Sequence, residues 1–323
     1  MKLLEIKNLV VEYDTEDGKV YALNGVSLSL EKGSTLGLVG ETGAGKTTTA
    51  LSIMQLLPKG LSTVKEGQII FDGEDMLKKT EADMRTIRGQ KVSMIFQDPM
   101  TSLNPVMRIG EQIREAIVLH SPSMSEKEAN ARVDEILEMV GIPASRKSDY
   151  PHQFSGGMRQ RVVIAIALSC QTKLLLADEP TTALDVTIQA QVLSMMKELK
   201  QRLNTSMILI THDLGVVCQT CDSVAVMYSG EIVEYGTAHD IFVDKQHHPY
   251  TKGLFSSLPD PKSDSRRLTP IPGLTPDSME LPLGCPFHPR CSECMEICKT
   301  HAPEECSIGK KHMIKCHLFS QEA

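Results

Sequence analysis

The sequence predicts an α/β fold: a mixed sheet covered by helices, with an antiparallel β edge, a helical subdomain and a small cysteine-rich C-terminal extension. Three observations carry this expectation. Continuous apolar runs of strand length, LGLVG at 36–40 and KLLLAD at 173–178, end in glycine or in a carboxylate and lead toward helical patterns, which is how buried parallel strands read. The first 75 residues instead show short strands broken by turn residues. Six of the nine cysteines crowd into the last forty residues.

Taken in order, LLEIKNLVVEY, the polar turn Asp14–Lys19 with its Asp17-Gly18 pair, the alternation in VSLSLE (26–31) and GQIIFDG (67–73) read as an antiparallel edge. The apolar strand 36–40 enters a glycine-rich turn and then TTTALSIMQLL (47–57), helical up to Pro58. VSMIF (92–96) reads as another buried strand. Downstream, EKEANARVDEILEMVGI (126–142) places Ala129, Val133, Ile136, Leu137 and Val140 on one helical face, with Gly141 as its stop. From residue 160 the α/β pattern returns: helix RVVIAIALS (161–169), strand 173–178, helix TIQAQVLSMMKELKQRL (187–203) with Ile188, Val192, Met195, Met196 and Leu199 at helical spacing, then strands SMILIT (206–211) and SVAVMY (223–228). Seven prolines between Pro259 and Pro286, with almost no apolar periodicity, mark an extended linker ahead of the cysteine-rich tail.

With 323 residues, 41% hydrophobic and 23% charged, the composition is that of an ordinary globular chain. A net charge of −7 and a pI near 5.8 argue against a nucleic-acid partner. Glu5 and Lys7 interrupt the apolar opening, so no secretory signal is expected. The longest apolar run, Val162–Leu168, falls far short of the roughly 18 residues a membrane span needs; membrane association is expected to go through partners.

Gly40-Glu41-Thr42-Gly43-Ala44-Gly45-Lys46-Thr47 fits GxxxxGK[ST] between a predicted strand and a predicted helix. The residue types follow from the chemistry. Glycines let backbone N–H groups wrap phosphates, the helix N-terminus favours anions, Lys46 meets the β and γ charges, and Thr47 gives Mg²⁺ an oxygen. Strand 174–178 ends in Asp178 and Glu179. Asp178 suits Mg²⁺, and Glu179 the orientation or deprotonation of the water that attacks the γ-phosphate.

Phe154-Ser155-Gly156-Gly157-Met158-Arg159-Gln160-Arg161 resembles the signature motif of ATP-binding-cassette ATPases, usually LSGGQ, with phenylalanine for leucine and methionine for glutamine. GVSLSLEKGSTLGLVGETGAGKTT, FQDPMTSLNP, ADEPTTALDVTIQAQ, HHPYTKGL, LTPIPGLTPD and GCPFHPRC resemble the ATPases of dipeptide, oligopeptide and nickel importers over essentially the whole chain. That resemblance implies a P-loop NTPase core over residues 1–258, with its helical subdomain at about 98–158, and a further region over 259–323. It implies nucleotide contacts from Gly40–Thr47, Thr48, Ser155, Gly156, Gly157 and Asp185. The last belongs to the D-loop Ala183-Leu184-Asp185. The same resemblance implies Gln97 as the link from the γ-phosphate and Mg²⁺ to a permease, His212 as the switch histidine, and Tyr13 as the aromatic stacked on adenine, with Tyr21 the runner-up. The implied partners are a paralogous ATPase subunit or a second copy of this chain, two permease subunits and an external solute-binding protein. The implied location is the cytoplasmic face of the cell membrane.

Clustered cysteines in a reducing compartment are more often ligands than disulfides. Cys285, Cys291, Cys298 and Cys316 match positions that recur in the family's C-terminal region; Cys294 and Cys306 are additional. Spacings of five, six and seventeen residues suit a [4Fe–4S] cluster, with Zn²⁺ the alternative through the Cys291/Cys294 CxxC. Cys218 and Cys221, at i and i+3 of a predicted helix, read as small buried apolar residues. The function expected is ATP hydrolysis driving uptake of di- or oligopeptides. A nickel or metal-chelate importer is the alternative within the family, and a soluble non-transport cassette ATPase the alternative outside it.

Overall fold

A computed structural model describes residues 1–182, 184–258 and 270–320, which divide into two compact units. One comprises Met1–Leu3, Leu30–Leu36 and Asp72–Thr220; the other comprises Leu4–Ser29, Gly37–Phe71 and the residues from Cys221 onward.

The chain opens with two fourteen-residue strands, β1 (Lys2–Thr15) and β2 (Gly18–Glu31), joined across the predicted Asp17-Gly18 turn. The fully buried β3 (Thr35–Val39) follows, then α1 (Lys46–Ile53) and β4 (Ser62–Phe71). β4 runs antiparallel to β1, with Leu4 opposite Phe71, as the alternation anticipated. α1 is shorter than expected. Gln55 turns left-handed (φ 49°), and the Leu56 N–H closes onto the Leu51 carbonyl at 2.9 Å. This is a Schellman-type stop made without the usual glycine, so no sequence signal marked it.

The first unit continues with β5 (Glu74–Asp75), α2 (Glu81–Ile87), β6 (Val92–Ile95), the short α3 (Pro99–Ser102), α4 (Ile109–His120) and α5 (Glu126–Met139). A capping box of Ser125 and Glu128 starts α5. Its Ala129, Val133, Ile136 and Leu137 are buried as predicted. Next come α6 (Gly156–Leu168), β7 (Leu174–Asp178), α7 (Val186–Leu203), β8 (Ser206–Ile210) and α8 (Leu214–Thr220). β6, β7 and β8 are parallel, with Ile95 opposite Ala177 and Asp178 opposite Ile210. Every residue of β7 and β8 is buried, which is why they read as unbroken apolar runs.

The second unit ends with β9 (Ser223–Tyr228), β10 (Glu231–Thr237), α9 (Ala238–Phe242), α10 (Pro249–Ser256), β11 (Glu305–Ser307) and β12 (Met313–Lys315). Here the strands lie in the order β11-β12-β10-β9-β3. The cysteine-rich region thus adds two strands, too short for any periodicity to announce. Beside them the buried Glu234 of β10 accepts hydrogen bonds from three histidines: its Oε1 lies 2.8 Å from His247 Nδ1 and 2.9 Å from His312 Nε2, and its Oε2 takes the His248 N–H at 2.9 Å.

One cysteine expectation is corrected. Cys218 is exposed; only Cys221, one residue beyond α8, is buried. Ala183 and residues 259–269 of the predicted linker lie outside the described residues.

Candidate functional site

In the second unit β3 delivers the chain into the loop 40–47. Gly40 has φ 154°, and a Cβ there would meet the Met227 carbonyl oxygen at 2.1 Å. Gly45, the N-cap of α1, has φ 99° and would meet the Ala22 carbonyl oxygen at 2.7 Å. Both positions therefore require glycine. Lys46 is buried, and its ammonium donates to the carbonyls of Gly40 and Glu41, each at 2.8 Å. Thr42, Gly43 and Thr47 are exposed and Ala44 is buried. The loop thus presents a concentrated positive end, a lysine together with the amides that open α1. Tyr13 donates its hydroxyl to Thr48 Oγ1 at 3.4 Å, while the Tyr21 N–H is tied to the Ser278 carbonyl at 2.8 Å. Of the two aromatic candidates, Tyr13 has its hydroxyl on the loop's helix.

In the first unit, β7 ends in the buried Asp178 and hands over to Glu179. Glu179 has φ 46°, left-handed for a non-glycine residue, with its N–H on the Ile210 carbonyl at 2.9 Å. Such a conformation costs roughly 1–2 kcal/mol and persists where its surroundings impose it. Its Oε2 accepts from Gln97 Nε2 and from Thr182 Oγ1, each at 2.9 Å, and its Oε1 lies 3.2 Å from His212 Nδ1. Burial alone raises this carboxyl's pKa, but the hydrogen bonds of His212, Thr182 and Gln97 outweigh it and hold the group below the usual carboxylate range. Glu179 is therefore ionised at neutral pH, as a water-orienting base must be.

The predicted signature residues open α6. The Ser155 hydroxyl caps the helix, accepting the Met158 N–H at 3.4 Å. A Cβ on Gly157 would meet Ile188 Cγ2 at 2.5 Å, whereas Gly156 has room for one. The two departures from the usual motif share a neighbour: the Arg146 guanidinium lies 4.2 Å over the Phe154 ring and reaches Met158 Sδ at 3.5 Å. Asp185 caps α7 through the Ile188 N–H at 3.0 Å.

None of the nine cysteines is in a disulfide. Burial pushes the Cys285 thiol up to about 11, with Cys298 and Cys291 adding to the rise. Burial pushes Cys316 up to about 12, with Cys285, Cys291 and Cys298 adding. Cys291 is raised by burial and by its neighbours Cys294 and Cys298. Every pair among Cys285, Cys291, Cys298 and Cys316 is thus within electrostatic reach, and Cys294 lies within the same reach of Cys291 and Cys298. Cys306 stands apart, on the Glu304 carbonyl and the Ser320 hydroxyl.

Residues 23–182 match the family model described as ABC transporter, and residues 233–298 match the oligopeptide/dipeptide transporter C-terminal region. The dipeptide transport ATP-binding protein DppD of Bacillus subtilis is 50% identical over 324 residues, covering 100% of this chain and 96% of the relative. The oligopeptide transport ATP-binding protein OppD of Salmonella typhimurium is 50% identical over 305 residues, 94% of this chain and 90% of the relative. This chain belongs to the ABC transporter family. It is an ABC ATPase that carries the C-terminal region of the oligopeptide/dipeptide branch. The fold agrees with a dimeric, post-hydrolysis ATP-binding cassette, MJ0796 bound to ADP and Pi, at TM-score 0.65 and 26% identity, covering 73% of this chain and 98% of that one. It agrees likewise with cbiO1 from Clostridium perfringens, part of the transporter complex cbiONQ, at TM-score 0.66 and 27% identity, covering 75% of this chain and 91% of that one.

For an ABC ATPase of this sequence, motif reading missed two contributors. Thr182, three residues after Glu179, holds its carboxylate; a hydroxyl so placed is a local signal that was available. Arg290 reaches Glu41 from 249 residues away, and no local pattern encodes that.

Proposed function

We propose that this ABC ATPase powers the import of di- or oligopeptides through a partner permease, by nucleotide-driven closure and opening of a pair of ATPase subunits. The observation that carries the reading is Glu179, an ionised carboxylate held by Gln97, Thr182 and His212 at the end of β7, in a chain half identical to dipeptide and oligopeptide transport ATP-binding proteins along nearly its whole length. Residues 1–258 act as the nucleotide-binding domain, with 259–323 as its linker and cysteine-rich region. Glu179 activates water and His212 senses the γ-phosphate. The loop Gly40–Thr48 takes the phosphates, and Tyr13 takes adenine. Thr47, Gln97 and Asp178 serve Mg²⁺. Ser155, Gly156, Gly157 and Asp185 complete the site of the opposing subunit, a paralogue or a second copy. The chain works on the cytoplasmic face of the membrane, and none of its described helices is long and apolar enough to cross one.

Cys285, Cys291, Cys298 and Cys316 hold a [4Fe–4S] cluster. Their mutual proximity supports this. Zn²⁺ is the alternative, through the Cys291/Cys294 CxxC.

The test is reconstitution with the permease subunits and solute-binding protein in proteoliposomes. Peptide-loaded binding protein is expected to stimulate ATP hydrolysis and peptide uptake; stimulation by nickel chelate and not by peptide would overturn the substrate assignment.

A further inference from the structure

Arg290 joins the cysteine-rich segment to the phosphate loop. Its side chain is only 5% exposed. Nη1 donates to Glu41 Oε2 at 2.6 Å and Nη2 to Oε1 at 3.0 Å, a bidentate pair. Nε donates to the Pro272 carbonyl at 3.0 Å, and Nη1 also reaches the Tyr228 hydroxyl at 3.4 Å. The main chain of Glu41 is held as well, its N–H donating to the Tyr250 hydroxyl at 2.9 Å. Tyr228, Tyr250 and Phe287 pack on one another with ring centroids 4.6 to 5.4 Å apart.

Glu41 is the second residue of a loop built to receive a polyanion, and a free carboxylate there opposes the phosphates it should bind. The guanidinium of Arg290 cancels that charge and fixes its direction. Arg290 itself stands in the single 3₁₀ turn between two of the four clustered cysteines. The His288 N–H bonds to the Cys285 carbonyl at 3.0 Å, the Arg290 N–H to the Phe287 carbonyl at 3.0 Å, and the Cys291 N–H to the His288 carbonyl at 3.3 Å. What fixes Cys285 and Cys291 therefore fixes the stem of Arg290.

We propose that Arg290 is a positioning residue through which the ligation state of the four cysteines sets the ATP affinity of the phosphate loop. Ligated thiolates hold the turn, the turn holds the guanidinium, and the guanidinium holds the Glu41 carboxylate away from the phosphates. The upstream half of this relay rests on the four-thiolate reading given above; the downstream half stands on the Arg290–Glu41 geometry.

The experiment measures the Kd of a fluorescent ATP analogue on the purified full chain, alongside thermal melting and iron, sulfide and zinc analysis. Arg290→Ala is expected to weaken binding about tenfold, equivalent to roughly 1.4 kcal/mol, at unchanged metal content. Adding Glu41→Gln to Arg290→Ala is expected to restore affinity to within about threefold of the parent, which loss of packing alone would not allow. Should the alanine variant fail to fold, Arg290→Lys and Arg290→Gln, each with and without Glu41→Gln, make the same comparison. An unchanged Kd, or no rescue by Glu41→Gln, overturns the role of Arg290. Cys298→Ser is expected to lower metal content and to weaken ATP binding by the same factor as Arg290→Ala, with no further loss when the two are combined. Metal lost with Kd unchanged overturns the relay and leaves the metal site standing. Metal retained overturns the four-thiolate reading, and the relay with it.

Discussion

His212 Nδ1 stands 3.2 Å from Glu179 Oε1, on a carboxylate whose other oxygen takes Gln97 and Thr182 at 2.9 Å each. Three side chains from three chain segments converge on one group that its own left-handed backbone presents. Convergence of this kind fixes the direction of the carboxylate, as the catalytic role proposed above requires.

Glu179→Gln keeps the shape but replaces one acceptor oxygen by an NH₂ donor, and it cannot take a proton. Expected is ATP affinity within about threefold of the parent and turnover reduced by at least ~10², the lower end of what a general base contributes. Equilibrium nucleotide binding and phosphate release decide the matter; retained hydrolysis would remove Glu179 from the catalytic role.

The two signature glycines separate structure from function. Gly157→Ala places a methyl 2.5 Å from Ile188 Cγ2, on a β-branched side chain with little freedom to move. A destabilisation of roughly 1–3 kcal/mol is expected, relieved by Ile188→Ala. Gly156→Ala has its nearest neighbour at 3.9 Å and an ordinary φ, so urea unfolding should be nearly unchanged. If the Gly156 backbone contacts nucleotide across a subunit pair, ATPase activity nevertheless falls; full activity would reduce Gly156 to a helix-opening residue.

Much of this arrangement was legible in the sequence because it is local. The apolar β7 with its terminal carboxylates, the glycine loop ahead of α1 and the Ser155 cap of α6 each declare themselves within about ten residues. The four-cysteine set was drawn from resemblance, and no local pattern separates it from Cys294. What stayed hidden depends on contacts between distant segments or on backbone turns without their usual residue. The Arg290–Glu41 pair spans 249 residues. β11 and β12 are three residues each and gain their pairing only from β10. Gln55 ends α1 in a conformation that a glycine would have signalled.

The buried Glu234 predicts a pH-dependent stability. Burial works against its ionised form, but hydrogen bonds led by His247 and His312 prevail and lower it to about 2 from an ordinary 4.5. A depressed carboxyl stabilises above its unfolded pKa and loses that contribution as pH falls from about 4.5 toward 2. His247 is raised, chiefly by its hydrogen bond to Glu234. It stabilises below an ordinary 6.5 and loses its contribution as pH rises through its folded value. His248 is lowered to about 4 by burial and subtracts stability below 6.5. The charge of Glu234 partly offsets that lowering, so the penalty is deeper in Glu234→Gln and adds to the difference between the two proteins below 6.5. The Tm difference between the two should therefore be widest between about pH 4.5 and 6.5 and narrow on either side. A difference independent of pH would show that Glu234 acts by packing alone.

Cys298 is buried, and its carbonyl accepts the Cys285 N–H at 2.9 Å, so one residue joins the backbone of the cysteine region to its thiol cluster. Serine preserves the backbone bond and nearly the volume, so a change in Cys298→Ser reports the sulfur. Expected are loss of bound iron and sulfide, loss of any broad visible absorption, and faster cleavage by protease within 284–316. The segment has two three-residue strands and little apolar core of its own, and small regions of that kind depend on ligation for their order. A variant with unchanged metal content and unchanged protease resistance would show that Cys298 is a packed thiol, and that β12 and the Glu234 network hold the region without it.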